Sequence, residues 1–140
     1  MSRRYFTDRD LGKQFPALLA EAGLSVERHI DRFSAEGSDE QWLEHSGSNG
    51  LIAISHNSRI RYVPNELAAV LRFKVALIID VGQVQSAELA RNFVRSIPRI
   101  EAFLTSHAPP FIAKVYRPTP AESTASAGAP GRIERWFPKR

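Results

Sequence analysis

Two uninterrupted apolar runs of strand length limit the possible folds of this chain more than any other feature. Residues 51–55 and 75–80 contain no polar side chain before their last position. Such runs are typical of strands in a parallel sheet that is covered on both faces, because neither face meets water. They alternate with segments of helical periodicity, of which residues 11–22 are the first. This alternation predicts an α/β fold with helices on both faces of a mostly parallel sheet.

Weaker patterns complete the set of predicted elements. Further strands are expected over residues 4–8, 24–30, 111–117 and 132–137. Further helices are expected to begin near Ser38, Pro64, Ser86 and Pro98. Ser38 and Gln41 are three positions apart, which predicts a capping box. Residues 46–50 contain two glycines and an asparagine, which predicts a turn.

The chain has the length and composition of one globular domain. It has 140 residues, of which 43% are hydrophobic and 24% charged. We expect an α/β domain over residues 1–117 and a C-terminal strand with a basic tail over residues 132–140. Residues 118–131 are rich in Pro, Ala, Ser, Thr and Gly, which predicts a flexible linker loop. The strands on either side of it are expected to pair as a β-hairpin at the sheet edge.

Charge and composition narrow the class of protein. The net charge of +4 lies entirely in residues 114–140, and it suits either an RNA partner or a solubilising end. No apolar run approaches the roughly 20 residues that a membrane span needs, and we expect no secretory leader, so a cytoplasmic location is predicted. The absence of cysteine excludes disulfides and thiolate chemistry.

Polar residues follow several predicted strands. Asp8 and Asp80 close strands, Asn57 lies just past another, and Asp39 begins the helix that precedes the run over residues 51–55. The carboxyl ends of parallel strands share one sheet edge, where α/β proteins bind ligands. Converging carboxylates there would suit Mg²⁺ or Mn²⁺. The sequence therefore predicts a metal site at this edge.

Each of these residues also has a plainer explanation. Asp8 or Asp10 could cap the following turn, and Asp39 suits the first turn of any helix because of the helix dipole. Asn57 and Asp80 are common turn residues. The four histidines have no spacing typical of metal ligands.

The order of several short motifs resembles the PIN-like domains of VapC-type toxins. The similar stretches are residues 6–12, 26–31, 38–43 and 52–61, with weaker similarity at residues 111–113. The resemblance implies a single PIN-like domain that acts as a Mg²⁺-dependent endoribonuclease, usually the toxin of a type II toxin–antitoxin pair. It also implies three kinds of partner, namely RNA, a cognate antitoxin and a second copy of the chain.

The resemblance assigns roles to individual positions. Asp8 and Asp39 match the metal-binding acids, and Asn57 stands where the family usually has aspartate. Asp31 falls on a frequent acidic position near the site, and we place Asp80 with it in a second tier. Candidates for binding phosphate are Arg9, Arg59 and Arg61.

Two other functions stay open at this point. Asparagine brings one negative charge less than aspartate, which would weaken metal binding at position 57. Asn57 is therefore also consistent with a degenerate PIN-like module that binds RNA or protein without cleaving RNA. Asp8 and Asp10 also form the Asp-x-Asp of haloacid-dehalogenase-like phosphatases, with Asp8 as nucleophile and Asp10 as acid and base. The later acidic pair of that family is missing from the sequence.

Overall fold

Residues 3–139 are described by a computed structural model. Positions 1, 2 and 140, which belong to the predicted first domain and basic tail, lie outside this range. A single sheet has the strand order β2-β1-β3-β4-β5-β6. The strands are β1 (Arg4–Thr7), β2 (Ser25–Arg28), β3 (Ile52–Ser55), β4 (Ala76–Asp80), β5 (Phe111–Val115) and β6 (Ile133–Phe137). Strands β1 to β5 are parallel, while β6 is antiparallel to β5. The predicted α/β class and C-terminal strand pair are confirmed.

Helices connect the strands and cover the sheet. They are α1 (Gln14–Glu21), α2 (Asp39–Ser48), α3 (Pro64–Arg72), α4 (Ser86–Arg95), α5 (Ile97–Ser106) and α6 (Pro120–Ala125). Short 3-10 turns occupy Arg9–Leu11, His29–Asp31 and Ser58–Tyr62. Within residues 3–139, none of the helices has the length and apolar character that a membrane crossing requires.

The sheet separates two hydrophobic cores. Tyr5 and Ile78 face a core formed with α1, α4 and α5, whereas Phe6 and Leu77 face a core formed with α2 and α3. Phe6 stacks on Trp42 of α2 at a centroid distance of 5.7 Å. Every residue of β3 and β4 is buried, as the two apolar runs predict. Burial on both faces explains why neither strand alternates in polarity.

The strand order creates a switch point at the carboxyl end of β1. The chain leaves β1 toward β2 on one side, and the next strand, β3, lies on its other side. Connections diverging from neighbouring strands leave a crevice at their carboxyl ends, where α/β folds bind ligands. Asp8 directly follows β1, and Asn57 lies two residues past β3. The fold therefore places both residues at the crevice.

Two local predictions around α2 are wrong. Ser38 occupies the N-cap position but its side chain makes no capping hydrogen bond, so there is no capping box. The turn predicted over residues 46–50 is largely helix, since α2 continues to Ser48. Gly47 explains this, because a Cβ at that position would lie 2.2 Å from the Phe73 carbonyl oxygen. The glycine permits close packing of α2 against the end of α3 rather than a turn.

The loop predicted over residues 118–131 contains helix α6. Thr119 and Glu122 form a reciprocal capping box that begins this helix. At the other end of the segment, the Gly131 backbone N–H donates a hydrogen bond of 2.9 Å to the buried Ser96 hydroxyl. Residues 120–125 of the predicted loop are thus helical, which the composition did not indicate because the helix start depends on a capping pair three residues apart.

Candidate functional site

Asp8 lies at the bottom of the crevice, directly after β1. The residue is only 6% exposed. Its Oδ2 accepts a hydrogen bond of 2.9 Å from the Ser55 hydroxyl, and its Oδ1 accepts one of 2.7 Å from the Arg9 backbone N–H. The second bond caps the Arg9–Leu11 turn, so Asp8 has the plainer capping role as well as its place in the crevice.

Asp10 reaches the same hydroxyl from the following turn. Its Oδ2 lies 3.3 Å from the Ser55 Oγ and accepts a hydrogen bond of 3.2 Å from the His56 backbone N–H. A serine hydroxyl carries one proton, so Ser55 can donate to only one of the two carboxylates at a time. Asp8 and Asp10 therefore share one hydroxyl donor, which cannot satisfy both carboxylates when both are charged.

The pKa values of both carboxyl groups are raised. The pKa of Asp8 is raised to about 7, first by burial and then by the nearby charges of Asp10 and Asp39, against the lowering effect of its hydrogen bonds. The pKa of Asp10 is raised too, again chiefly by desolvation of its carboxyl group. A bound cation would relieve the repulsion that raises both values.

Two further acids come from the first turns of α2 and α3. Asp39 Oδ1 accepts a hydrogen bond of 2.9 Å from the Trp42 indole N–H, which fixes its orientation. Glu66 has a buried Oε1 that finds no hydrogen-bond partner among residues 3–139. Burial raises the pKa of Glu66, and the charges of Asp39 and Glu40 raise it further. Asp39 and Glu66 therefore lie within electrostatic reach of each other.

Glu66 is missing from the sequence prediction. An acid two residues after Pro64 looks like an ordinary first-turn residue that favours the helix dipole. The signal that could have identified it is its place in the connection after β3, because that connection begins at the crevice. Glu66 was therefore recognisable only once β3 was paired with β1.

Asn57 has a local structural role. Its side-chain oxygen accepts a hydrogen bond of 3.1 Å from the Arg59 backbone N–H and caps the turn Ser58–Tyr62. Its own backbone N–H donates a hydrogen bond of 3.0 Å to the Ser55 Oγ. The backbone of Asn57 thus contacts Ser55, which also contacts Asp8 and Asp10, while the Asn57 side chain caps the turn.

The two second-tier acids do not join the cluster. Asp31 is exposed, and two hydrogen bonds of 2.8 and 3.0 Å tie it to Arg28. Asp80 is completely buried, and within the described residues neither of its carboxyl oxygens has a hydrogen-bond partner. Burial raises the pKa of Asp80 well above its ordinary value. Neither side chain hydrogen-bonds to the other acids within residues 3–139, and the second-tier role of Asp31 and Asp80 near the site stays a prediction.

The three candidate arginines lie in different surroundings. Arg9 borders a cavity of about 130 Å³ whose lining also includes Asp8, Lys13, Arg28 and His29. Arg59 is exposed on the turn after β3. Arg61 instead stacks over the Trp136 ring, with its Cζ 4.7 Å from the ring centroid. Arg9 is therefore the candidate that borders the same space as Asp8.

The available ligands suit a hard cation held partly by water. In the part of the chain that the structure describes, no three acids or histidines are close enough together to enclose a metal ion. Mg²⁺ commonly binds proteins through one or two carboxylates and keeps several waters or substrate phosphates. Asp8, Asp39 and the unpartnered oxygen of Glu66 supply the type of ligand that such an ion takes.

Comparison with known proteins identifies the family. A family model described as "PIN like domain" matches residues 3–80, which contain β1 to β4 and the acids of the crevice. Searches of curated proteins and of solved structures found no match. The matched segment is more than half of the chain, and the observed α/β sheet is consistent with it. The chain belongs to the PIN-like domain family.

Proposed function

We propose that this protein is a Mg²⁺- or Mn²⁺-dependent endoribonuclease. The observation that carries the proposal is the pair of Asp8 and Asp10 joined by Ser55 at the crevice of a PIN-like domain, a nuclease-type fold. Asp39 lies within electrostatic reach of this pair, and Glu66 lies within reach of Asp39. Clustered carboxylates with raised pKa values are typical of sites that bind a divalent cation or transfer protons. Arg9 and Arg59, which are in no salt bridge within residues 3–139, can bind the phosphates of an RNA substrate while the acids hold the cation that promotes hydrolysis.

Each residue of the crevice has a definite part in this proposal. Asp8 and Asp39 hold the metal, while Ser55 orients Asp8 and Trp42 orients Asp39. When bound, the metal supplies charge neutralisation and an activated water for attack on the phosphodiester. Glu66 is an additional acid within electrostatic reach of Asp39 and is suited to accept a proton.

Cations around the cavity beside Asp8 are suited to the RNA backbone. Arg9 and Lys13 line the cavity together with Asp8. Charged donors at this position can bind phosphate oxygens while the adjacent acids hold the metal. Arg9 and Lys13 are thus suited to hold a phosphate group of the RNA beside Asp8.

The non-catalytic alternative also has a specific observation in its favour. Asn57 stands where the resembled toxins have aspartate, and its side-chain oxygen is engaged by the Arg59 N–H. A PIN-like module with this departure would bind RNA or protein without cleavage. The phosphatase alternative is weaker, because the later acidic pair that such phosphatases need is missing from the sequence.

Cleavage of a circular RNA by the purified protein tests the main proposal. We expect linear products in the presence of Mg²⁺ or Mn²⁺, and none after chelation with EDTA. Asp31→Asn is the matched control, because Asp31 is an exposed aspartate outside the crevice, and it should cleave like the wild type. RNA binding without metal-dependent cleavage would favour the non-catalytic module instead.

We further propose that the nuclease is the toxin of a type II toxin–antitoxin pair that acts in the cytoplasm. The support is the resemblance of the ordered motifs, which also suggests a cognate antitoxin and a homodimer or hetero-oligomer as partners. Induction of the wild-type chain should arrest growth, whereas Asp39→Asn should not. Normal growth with active enzyme in the cell would leave the nuclease proposal intact and contradict the toxin role.

A further inference from the structure

An aromatic and basic patch lies where β6 meets the turn after β3. This patch, called here the stacking patch, consists of Arg61, Tyr62, Lys114, Trp136 and Phe137. The Tyr62 and Trp136 rings meet edge to face with their centroids 5.7 Å apart. Trp136 and Phe137 pack against the same hydrophobic core as α2 and α3. The patch therefore belongs to the face of the sheet that also carries Asp8 and Asp39.

The cations of the patch lie over rings, and Glu134, which is paired with Lys114 across β5 and β6, is in a salt bridge with Arg132 instead. The Lys114 Nζ lies 3.7 Å from the Trp136 centroid, and the Arg61 Cζ lies 4.7 Å from it. Among residues 3–139, neither cation is in a salt bridge, and Arg59 is in none either. Their positive charge is thus left for an anionic partner.

Tyr62 is the exposed part of the patch. It is 69% exposed, more than any other large apolar or aromatic side chain in the described range. Trp136 is half-buried, and both cations lie over its ring. The most exposed ring is therefore that of Tyr62, with positive charge at its border and the Arg61 Cζ 5.6 Å from its centroid. Exposed rings bordered by unpaired cations are what proteins use to bind single-stranded nucleic acids.

The patch is close to the acidic crevice along the chain. Tyr62 ends the turn that follows β3, and Glu66 comes four residues later in the first turn of α3. Four residues can span at most about 14 Å between Cα atoms. A single RNA strand of a few nucleotides could therefore contact both places.

We propose that the stacking patch binds single-stranded RNA, with a base stacked on Tyr62 and phosphates held by Arg61 and Lys114. This inference rests on the proposed nuclease function and adds a binding surface to it. The surface combines residues of the matched segment with Lys114 and Trp136, which lie beyond residue 80. The C-terminal strand pair thus contributes to substrate recognition as well as to the sheet.

Fluorescence anisotropy of a labelled single-stranded RNA in EDTA tests the inference without cleavage. Tyr62→Leu should weaken binding on the order of tenfold, because stacking of one base is lost. Tyr62→Phe keeps the ring and should bind like the wild type. Arg72→Gln is the charge control, since Arg72 is an exposed arginine at the other end of α3 that also stacks on a ring. It should leave binding unchanged.

Trp136 provides an independent readout. The only other tryptophan, Trp42, is completely buried, so quenching of fluorescence by added RNA reports on Trp136. We expect quenching by single-stranded RNA in the wild type and less in Tyr62→Leu. Equal binding and equal quenching by wild type and Tyr62→Leu would overturn the inference.

Other outcomes separate this inference from the proposed function. RNA that binds through Tyr62 but is not cleaved with Mg²⁺ supports the patch and contradicts the nuclease. RNA that is cleaved normally, and bound equally by Tyr62→Leu, supports the nuclease and overturns the patch. A change in oligomeric state on Tyr62→Leu, with RNA affinity unchanged, would overturn it in favour of a contact between copies.

Discussion

Asp8 and Asp80 occupy similar places in the fold and have opposite surroundings. Each comes at the carboxyl end of a buried parallel strand, Asp8 just after β1 and Asp80 as the last residue of β4. Asp8 accepts hydrogen bonds from Ser55 and Arg9 and adjoins Asp10. The Asp80 carboxyl group has no hydrogen-bond partner in the part of the chain that the structure describes. Position at a strand end therefore does not decide whether an acid reaches the crevice.

The face of the sheet makes the difference. Thr7 pairs in register with Ile54, which places Asp8 beside Ser55, and Ser55 pairs with Ile79. Asp80 is one residue further along β4, so its side chain points to the opposite face. That face is covered by α1, α4 and α5, whereas the acids gather on the face with α2 and α3. A shift of one residue thus separates a candidate metal ligand from an isolated buried acid.

The largest expected effect is the loss of RNA cleavage in Asp8→Asn, with Asp80→Asn as its matched control. Asp8→Asn should lower RNA cleavage by about 10²- to 10³-fold, because it removes a charged ligand at nearly constant volume. Asp80→Asn should cleave within a factor of about two of the wild type, as expected for a residue away from the reaction. Rates from a single-turnover assay, with circular dichroism to confirm folding, test both. Full activity of a folded Asp8→Asn protein would contradict the metal-nuclease proposal.

Glu66→Gln should have a smaller effect on the same reaction. Glu66 acts beside Asp39, so its loss should reduce cleavage by about 10- to 100-fold, as is usual for residues that support a metal site. Glu21→Gln is the matched control, because Glu21 is an exposed acid at the end of α1 that lies away from the crevice. If both variants cleaved equally well, Glu66 would not belong to the site.

Asp80→Asn should change stability rather than activity. Burial raises the folded pKa of Asp80 above the unfolded value of about 3.9. Above that pH the unfolded chain loses the proton while the folded chain keeps it, so the contribution of Asp80 to stability falls as pH rises. The Tm of Asp80→Asn minus that of the wild type should therefore increase from pH 4 to pH 8. A difference independent of pH would contradict a buried, protonated Asp80.

Asn57→Asp should produce the smallest change. An aspartate can keep the hydrogen bond to the Arg59 N–H, so the turn should remain intact. The added charge should raise Mn²⁺ affinity by up to about tenfold, or ~1.4 kcal/mol, in calorimetry. Unchanged or weaker affinity would show that the side chain at this position does not bind the metal.

The sheet was predictable because its inner strands are buried on both faces. Residues 51–55 and 75–80 read as strands without any tertiary information, and Pro64 marks the start of α3 at its first position. The strand pair at the C-terminus followed from the apolar residues near the chain end. These elements depend on local composition, which the sequence shows directly.

The site was only partly predictable because it depends on register. Asp8 and Asp39 lie at the edge where the sequence places them. Ser55 and Glu66 were missed, because a serine at a strand end and an acid in a first helical turn have common local explanations. The direction of the Asp80 side chain depends on the pairing of β3 with β4, which no local pattern reveals.

The place of β4 inside the sheet has a consequence for any shortened form of this protein. The segment that matches the family ends at residue 80, where β4 ends. In the full chain, β5 hydrogen-bonds to the outer side of β4, and β6 in turn covers β5. A fragment cut at residue 80 would expose an apolar strand edge with free N–H and C=O groups, which is a template for aggregation. The residues after position 80 therefore protect the segment that matches the family model from self-association.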